Sequence, residues 1–229
     1  MCLPCFANDK HDSSIHEDFV RKTTTRQIEG DHTGSPLRET TMLLERRKFT
    51  LEEYHRLGEM GFLDEDDRVE FMAGDIVEMS PVGKAHNACI SRTNRKLVQQ
   101  LGDRAIVYVQ NSVNILGNEP LPDLALLRPN PTDYADRLAT AEDILLIIEV
   151  ADSSLAYDQE IKVPIYAQAG IEELWIVDLN DDLLWVYRKP SQKGYLDIKA
   201  HKPGESVTTL AFDLNLNVTD ILGEPLRDL

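Results

Sequence analysis

Five branched apolar residues in succession, Ile144 to Ile148, lead directly into Glu149, after which Val150 and Ala151 resume the run. Such a run predicts a strand buried on both faces. A carboxylate inside it must be paired, protonated, bound to a metal, or set where the strand end opens into a cleft. The pattern around this strand is equally explicit. Thr50 and Glu53 stand in capping-box spacing at the head of "TLEEYHRLGEMGF", which predicts a short helix ending near Gly61. "RVEFMAGDIVEMS" alternates about Ala73-Gly74 and predicts a β-hairpin with Glu70 and Glu78 on its two arms. Lys84 to Leu101 predicts an amphipathic helix, with Ala85, Ala88, Cys89, Leu97 and Leu101 along one stripe and Gly102 as its stop.

Strand signals follow. "AIVYVQNSVNI" predicts one or two strands, and Asp123 to Leu127 another, directly after the stiff "EPLP" lead-in. Asp158 to Gly170 is a helical segment that Pro164 should kink or delay, and "ELWIVDL" is a second buried strand. Asp178, with Asn180 and Asp181, should close that strand into a turn. Tyr166, Trp175 and Trp185 read as packing residues. "LLWVYRKP", "GYLDIKAH" and "SVTTLAFDL" predict an antiparallel meander at the C-terminal end. The order of elements defines an α/β fold with a mixed sheet, in which a crossover helix joins "ILLIIEV" to "ELWIVDL".

Residues 1–41 carry few large apolar side chains and no sustained period, so they are expected to form a disordered extension, with the folded domain spanning 42–229. Met42, where patterning begins, is a candidate alternative start. No apolar run approaches the roughly 20 residues needed to cross a bilayer, and no basic segment followed by an apolar one opens the chain, which predicts a cytoplasmic protein without a membrane partner. Cys2, Cys5 and Cys89 make no disulfide framework. The pair at Cys2 and Cys5 has no matching second pair, although His11 and His16 follow loosely, and it reads as incidental tail sequence. The formal charge of −16, from 24 basic and 40 acidic residues, shows no broad electrostatic footprint for nucleic acid.

Candidate chemistry converges on three residues. Asp123 starts one strand, Glu149 lies near the end of a neighbouring one, and Lys162 lies in the following helix. Two carboxylates on adjacent strands suit a hard cation such as Mg²⁺, which keeps most of its waters and takes one or two carboxylates plus phosphate oxygens. A nearby ammonium can orient or deprotonate water and offset charge on phosphate, the parts that metal-assisted phosphodiester hydrolysis requires. The alternatives at this level are a structural Glu149–Lys162 ion pair and an Asp123 that caps a turn.

"PDLALL", "IIEVADSS" and "DQEIKVPIYAQAGIEELWIVD", with "VEFMAGDIVEMSPVGKAH" upstream, resemble the Uma2 family, whose members resemble PD-(D/E)XK restriction-endonuclease-like nucleases. The resemblance spans roughly Phe49 to Arg188. It implies a restriction-endonuclease-like α-β-β-β-α-β core, Asp123 as the metal carboxylate of the "PD" element, and Glu149 as the acidic residue of the "(D/E)XK" element. Ala151 stands where the standard motif has its lysine, and the resemblance implies that Lys162 takes that role from the helix. Glu70 is a further candidate metal ligand and His86 a candidate accessory residue. The implied activity is a Mg²⁺-dependent endonuclease acting on DNA, with Mn²⁺ as a substitute metal. A homodimer with a local basic cleft formed by Arg92, Arg95 and Lys96 is a candidate answer to the acidic net charge. The competing readings are a non-catalytic binding module of the same fold and a metal-dependent hydrolase of a small phosphoester.

Overall fold

The computed structural model describes residues 46–64 and 67–224. The expectations for the N-terminal extension, the alternative start at Met42, and Cys2, Cys5, His11 and His16 lie outside the described residues. At the head of helix α1 (Leu51–Glu59), Glu53 N–H donates to Thr50 Oγ1 at 3.2 Å and Thr50 N–H to Glu53 Oε2 at 3.0 Å, the reciprocal box the sequence predicts. Tyr54 of this helix stacks on Phe71 with ring centroids 5.2 Å apart, which seats α1 on the hairpin of β1 (Val69–Met72) and β2 (Asp75–Glu78). The hairpin turns through Ala73 and Gly74, both at positive φ, and a Cβ on Gly74 would lie 2.7 Å from Lys48 Cβ. Glycine is therefore required there for both conformation and space.

Helix α2 spans Lys84–Leu101. It precedes β3 (Ile106–Val109), the short β4 (Val113–Asn114) and β5 (Leu124–Leu127). The short β6 (Ala139–Thr140) pairs with β4, and the central strand β7 (Ile144–Ala151) follows. The chain then enters a single helical turn, α3 (Leu155–Tyr157), widens into a π turn (Asp158–Lys162), and continues as α4 (Val163–Gln168). Pro164 at the start of α4 has no N–H for the usual backward bond, and the π turn accommodates this with Val163 N–H reaching Asp158 O, five residues back. Strands β8 (Glu173–Asp178), β9 (Leu183–Ser191) and β10 (Gly194–His201) complete a six-stranded sheet in the order β10-β9-β8-β7-β5-β3. Within this sheet only β7 and β8 are parallel, and the helical segment between them is the crossover connection.

Alternation along β7 divides the core. Leu146, Ile148 and Val150 pack with Leu97, Leu101, Leu124 and Trp175 on the face covered by α2. Ile147 and Ala151 pack with Tyr166, Ile171 and Ile176 on the face covered by α4. Glu149 shares the parity of Ile147 and Ala151, so its side chain rises on the second face, beneath the helical segment that carries Lys162 and Tyr166.

Three expectations are corrected. On α2, Ala85 is exposed while His86 is buried, because His86 finds a carboxylate to bond. The predicted meander holds for β9 and β10, but "SVTTLAFDL" leaves the sheet. Its strand β11 (Ser206–Thr208) pairs with β12 (Asn215–Asn217) in a separate two-stranded unit, leading into helix α5 (Val218–Leu222). Arg92 and Lys96 do not form an open basic face: Arg92 bonds the carbonyls of Ile221 and Leu222, and Lys96 Nζ meets Asp220 Oδ2 at 2.9 Å. They hold α5 against α2, while Arg95 is exposed. The turn after β8 forms as expected, with Asp178 Oδ1 accepting from Asn180 N–H at 3.0 Å and Asp181 N–H at 3.3 Å. Trp175 is fully buried and Trp185 partly so. No described helix is long and apolar enough to cross a membrane.

Candidate active site

A cleft of about 250 Å³ opens where the hairpin, the N-terminal end of α2, the end of β7 and the π turn meet. Glu70, His86, Asp123, Glu149 and Lys162, all named from the sequence, line it. All five are buried.

Asp123 is held by three donors. His86 Nε2 lies 3.1 Å and Val150 N–H 2.8 Å from Oδ2, and Gln110 Nε2 lies 3.0 Å from Oδ1. Burial alone would raise its pKa, but these donors outweigh burial and leave the carboxyl below its ordinary range. Asp123 is therefore ionised and accepts, which fixes His86 Nε2 as the donor in their bond.

Lys162 stands at the centre of the opposite wall. Its Nζ donates to Glu70 Oε1 at 2.8 Å and Glu149 Oε1 at 3.3 Å, with Asp158 Oδ1 at 3.8 Å. Burial favours the neutral amine, but Glu149, Glu70 and Asp158 together hold it above the ordinary lysine range as an ammonium. Glu70 is pinned from a second side by Leu121 N–H at 3.1 Å, and Asp158 by Ser154 Oγ at 2.7 Å. Tyr166 O–H donates to Glu149 Oε1 at 2.7 Å. Burial pushes the Glu149 carboxyl well above its usual range, and Lys162 only partly offsets this because Asp158, Asp123 and Glu70 crowd the same space.

The charge balance is thus incomplete. Four buried carboxylates, Glu70, Asp123, Glu149 and Asp158, face one ammonium. The surplus can be met by a proton on Glu149 or by a cation. Among the described residues, no three His, Cys, Asp or Glu side chains gather as a metal-holding group. The donor set nevertheless fits a hard divalent cation: Asp123 and Glu149 present oxygen ligands into one cleft, and Mg²⁺ needs only one or two carboxylates when waters and phosphate oxygens complete its shell.

Sequence reasoning passed over three participants. Tyr166 packs as its sequence context predicts, and its hydroxyl also bonds Glu149. Asp158 carried a visible signal, four residues before Lys162 on one helical face. Gln110 carried none, since its place depends on how the strands meet in space.

The mixed sheet and its parallel crossover define an α/β domain with a cleft at the end of its central strand. The same fold is found in the crystal structure of a "putative nuclease belonging to DUF820" from Anabaena variabilis, at a TM-score of 0.61 and 16% sequence identity, covering 76% of this chain and 97% of that one. The chain belongs to the Uma2 family, described as "Putative restriction endonuclease", whose model matches residues 51–219. No curated protein matches it.

Proposed function

We propose that this protein is a metal-dependent endonuclease that hydrolyses phosphodiester bonds of DNA at the cleft between Asp123 and Lys162. The observation that carries this reading is the meeting of Asp123, immediately before β5, and Glu149, on the neighbouring antiparallel strand β7, in one cleft with a buried ammonium on the far wall. Membership of a family described as "Putative restriction endonuclease" supports it. Asp123 and Glu149 would hold Mg²⁺, or Mn²⁺ in its place. The bound cation supplies charge neutralisation at phosphate and a water of lowered pKa.

The chain's own groups do the rest. Lys162, fixed as an ammonium, serves as a positioning charge and not as a base: it aligns Glu149 and Glu70 and lowers the cost of bringing phosphate into an acidic cleft. Water oxygen bonds to phosphorus as the bond from phosphorus to the sugar oxygen breaks; the attacking water passes a proton to the surrounding carboxylates, and the leaving oxygen takes one up from solvent. His86 and Gln110 keep Asp123 ionised and oriented, so the carboxylate needs no rearrangement when the metal arrives.

The test is cleavage of supercoiled plasmid and of short single- and double-stranded DNA by the full chain in Mg²⁺ or Mn²⁺, beside Asp123→Ala and Lys162→Ala. Metal-dependent cutting lost in both variants is the expected result. Metal binding without any DNA cutting would redirect the assignment to a small phosphoester.

A second reading is favoured by the engagement of Lys162 with three carboxylates: a non-catalytic module of the same fold in which the cluster is structural. Calorimetric titration with Mg²⁺, with and without Glu149→Gln, separates the two. Binding abolished by the substitution supports the enzyme, and no binding by the unmodified chain supports the module.

A further inference from the structure

Strand β10 closes one side of the six-stranded sheet, and among the described residues no strand pairs with its outer edge. It is eight residues long, twice the length of β3 at the opposite edge, whose Ile106, Val107 and Tyr108 are partly buried. An edge strand of this length presents a row of unpaired N–H and C=O groups, which folded proteins blunt, cover or pair with another strand. Along β10, Leu196 is 74% exposed and Ile198 50%, and Ala200 is exposed as well. Ile198 and Ala200 stand opposite Tyr187 and Trp185, on the face that α4 covers, so they continue that apolar layer out to solvent.

The other face of the same strand carries charge. Asp197 and Lys199 stand opposite Arg188 and Val186, with Ile198 between them in sequence. Within the chain Asp197 has only long contacts, 3.7 Å to Lys189 and 3.8 Å to Lys199, and both lysines are exposed. Such surface pairs hold their partners weakly. The order of charges is self-complementary. When two copies of β10 lie antiparallel with Ile198 facing its own copy, Asp197 of each falls opposite Lys199 of the other, and Leu196 opposite Ala200. Centring the pair on Asp197 or on Lys199 instead sets like charges face to face, which destabilises a strand pair.

We propose that β10 is the docking edge for a second copy of this chain, paired antiparallel about a two-fold axis at Ile198, so that the two sheets run on as one. The interface is isologous, as a two-fold requires. This inference goes beyond the nuclease reading and does not depend on it. Strands β7, β8 and β10 run in one direction, and antiparallel pairing reverses them in the second copy. The two clefts, each at the end of β7, therefore open toward opposite ends of the joined sheet. β7 lies three strands in from the edge, which sets the clefts about 34 Å apart across the sheet at about 4.8 Å per strand. Each chain keeps a complete cleft of its own.

The experiment is sedimentation equilibrium of the full chain over a range of concentrations in about 0.15 M salt, where a screening length of about 8 Å damps the repulsion between two chains of net charge −16. Asp197→Lys and Lys199→Asp are measured alone and mixed in equal amounts, with far-ultraviolet circular dichroism as the check on folding. The expected result is a monomer–dimer equilibrium that each substitution alone weakens by about 10-fold, because both symmetry-related pairs change from opposite to like charges. Mixing the two variants should restore the association of the parent, since one strand is then doubly positive, the other doubly negative, and every cross-strand pair is again opposite. A parent that stays monomeric throughout overturns the proposal. A dimer that neither substitution weakens lies on another surface, and one that both weaken but mixing does not restore has another register; either result overturns it.

Discussion

Lys162 Nζ lies closer to Glu70 Oε1, at 2.8 Å, than to Glu149 Oε1, at 3.3 Å, so the hairpin and the crossover helix are joined by an ion pair that Glu149 shares as the longer partner. The pair connects residues 92 positions apart in sequence, and both side chains are buried. Removing the ammonium leaves three carboxylates without their cation. Lys162→Met should therefore destabilise the fold by about 3–5 kcal/mol, the usual cost of breaking a buried ion pair from one side. Denaturant unfolding of the two proteins at neutral pH checks this, and a loss below about 1 kcal/mol would mean that the cluster is open to water.

Glu149 should limit stability on the alkaline side. Its folded pKa lies above the ordinary carboxyl value, so between the two the folded state binds more protons than the unfolded one, and stability falls as pH rises through that window. Glu149→Gln removes the titration. The variant should unfold at a higher temperature than the parent at about pH 8, with the difference shrinking toward about pH 4.5, and thermal melts across that range in the absence of metal decide it. Metal uptake runs the other way: it requires the ionised carboxylate, so Mg²⁺ affinity of the parent should strengthen as pH rises and be accompanied by proton release.

Tyr166→Phe removes the donor at 2.7 Å from Glu149 Oε1 while keeping the ring that packs against Ile147 and Ile176. The expected cost is about 1–3 kcal/mol. With one fewer donor stabilising its anion, Glu149 should require a higher pH for metal binding. Calorimetry over a pH series reads the displacement, and an unmoved profile would show that Glu149 does not gate the metal.

Arg92→Met should loosen the C-terminal helix, because the guanidinium bonds the carbonyls of Ile221 and Leu222. A stability loss of about 1–3 kcal/mol is expected. The salt dependence of DNA binding should stay the same, whereas loss of a phosphate contact would reduce its slope by about one. Affinity measured over a range of salt concentrations separates a tether from a DNA contact.

Much of the candidate site is legible in the sequence because the residues that line it break local rules. Glu149 interrupts an apolar strand, and Asp123 follows a proline at a strand start. Both residues violate burial preferences that the surrounding run establishes, and such violations concentrate at functional sites. The helix α2 matches its predicted bounds, Lys84 to Leu101, because amphipathic spacing and a glycine stop agree. What escapes is set by three-dimensional meeting. His86 takes a buried position that Ala85 fits better by hydropathy, since hydropathy cannot anticipate a carboxylate arriving from another strand. "SVTTLAFDL" has strand character throughout, and only its pairing with Asn215–Asn217 decides that it leaves the main sheet. The five-residue α5 is too short for a periodic signal, although Asn217 at its cap and Gly223 after it mark its ends.

The π turn separates two jobs that a strand would have to combine. Had the cation come from position 151 on β7, a long polar chain would occupy a site that Ala151 now fills with complete burial in the apolar cluster beneath α4. Supplying it from Asp158–Lys162 lets the sheet remain dry up to the edge of the cleft. It also transfers control of the cation's bearing to helical phase. Each residue of a helix advances the side chain by about 100°, so deletion of a single residue between Leu155 and Val163 would swing Lys162 out of the cleft while leaving every strand of the sheet in register. The positive charge is thus indexed independently of the scaffold, and its orientation can change over evolution without the sheet being rebuilt.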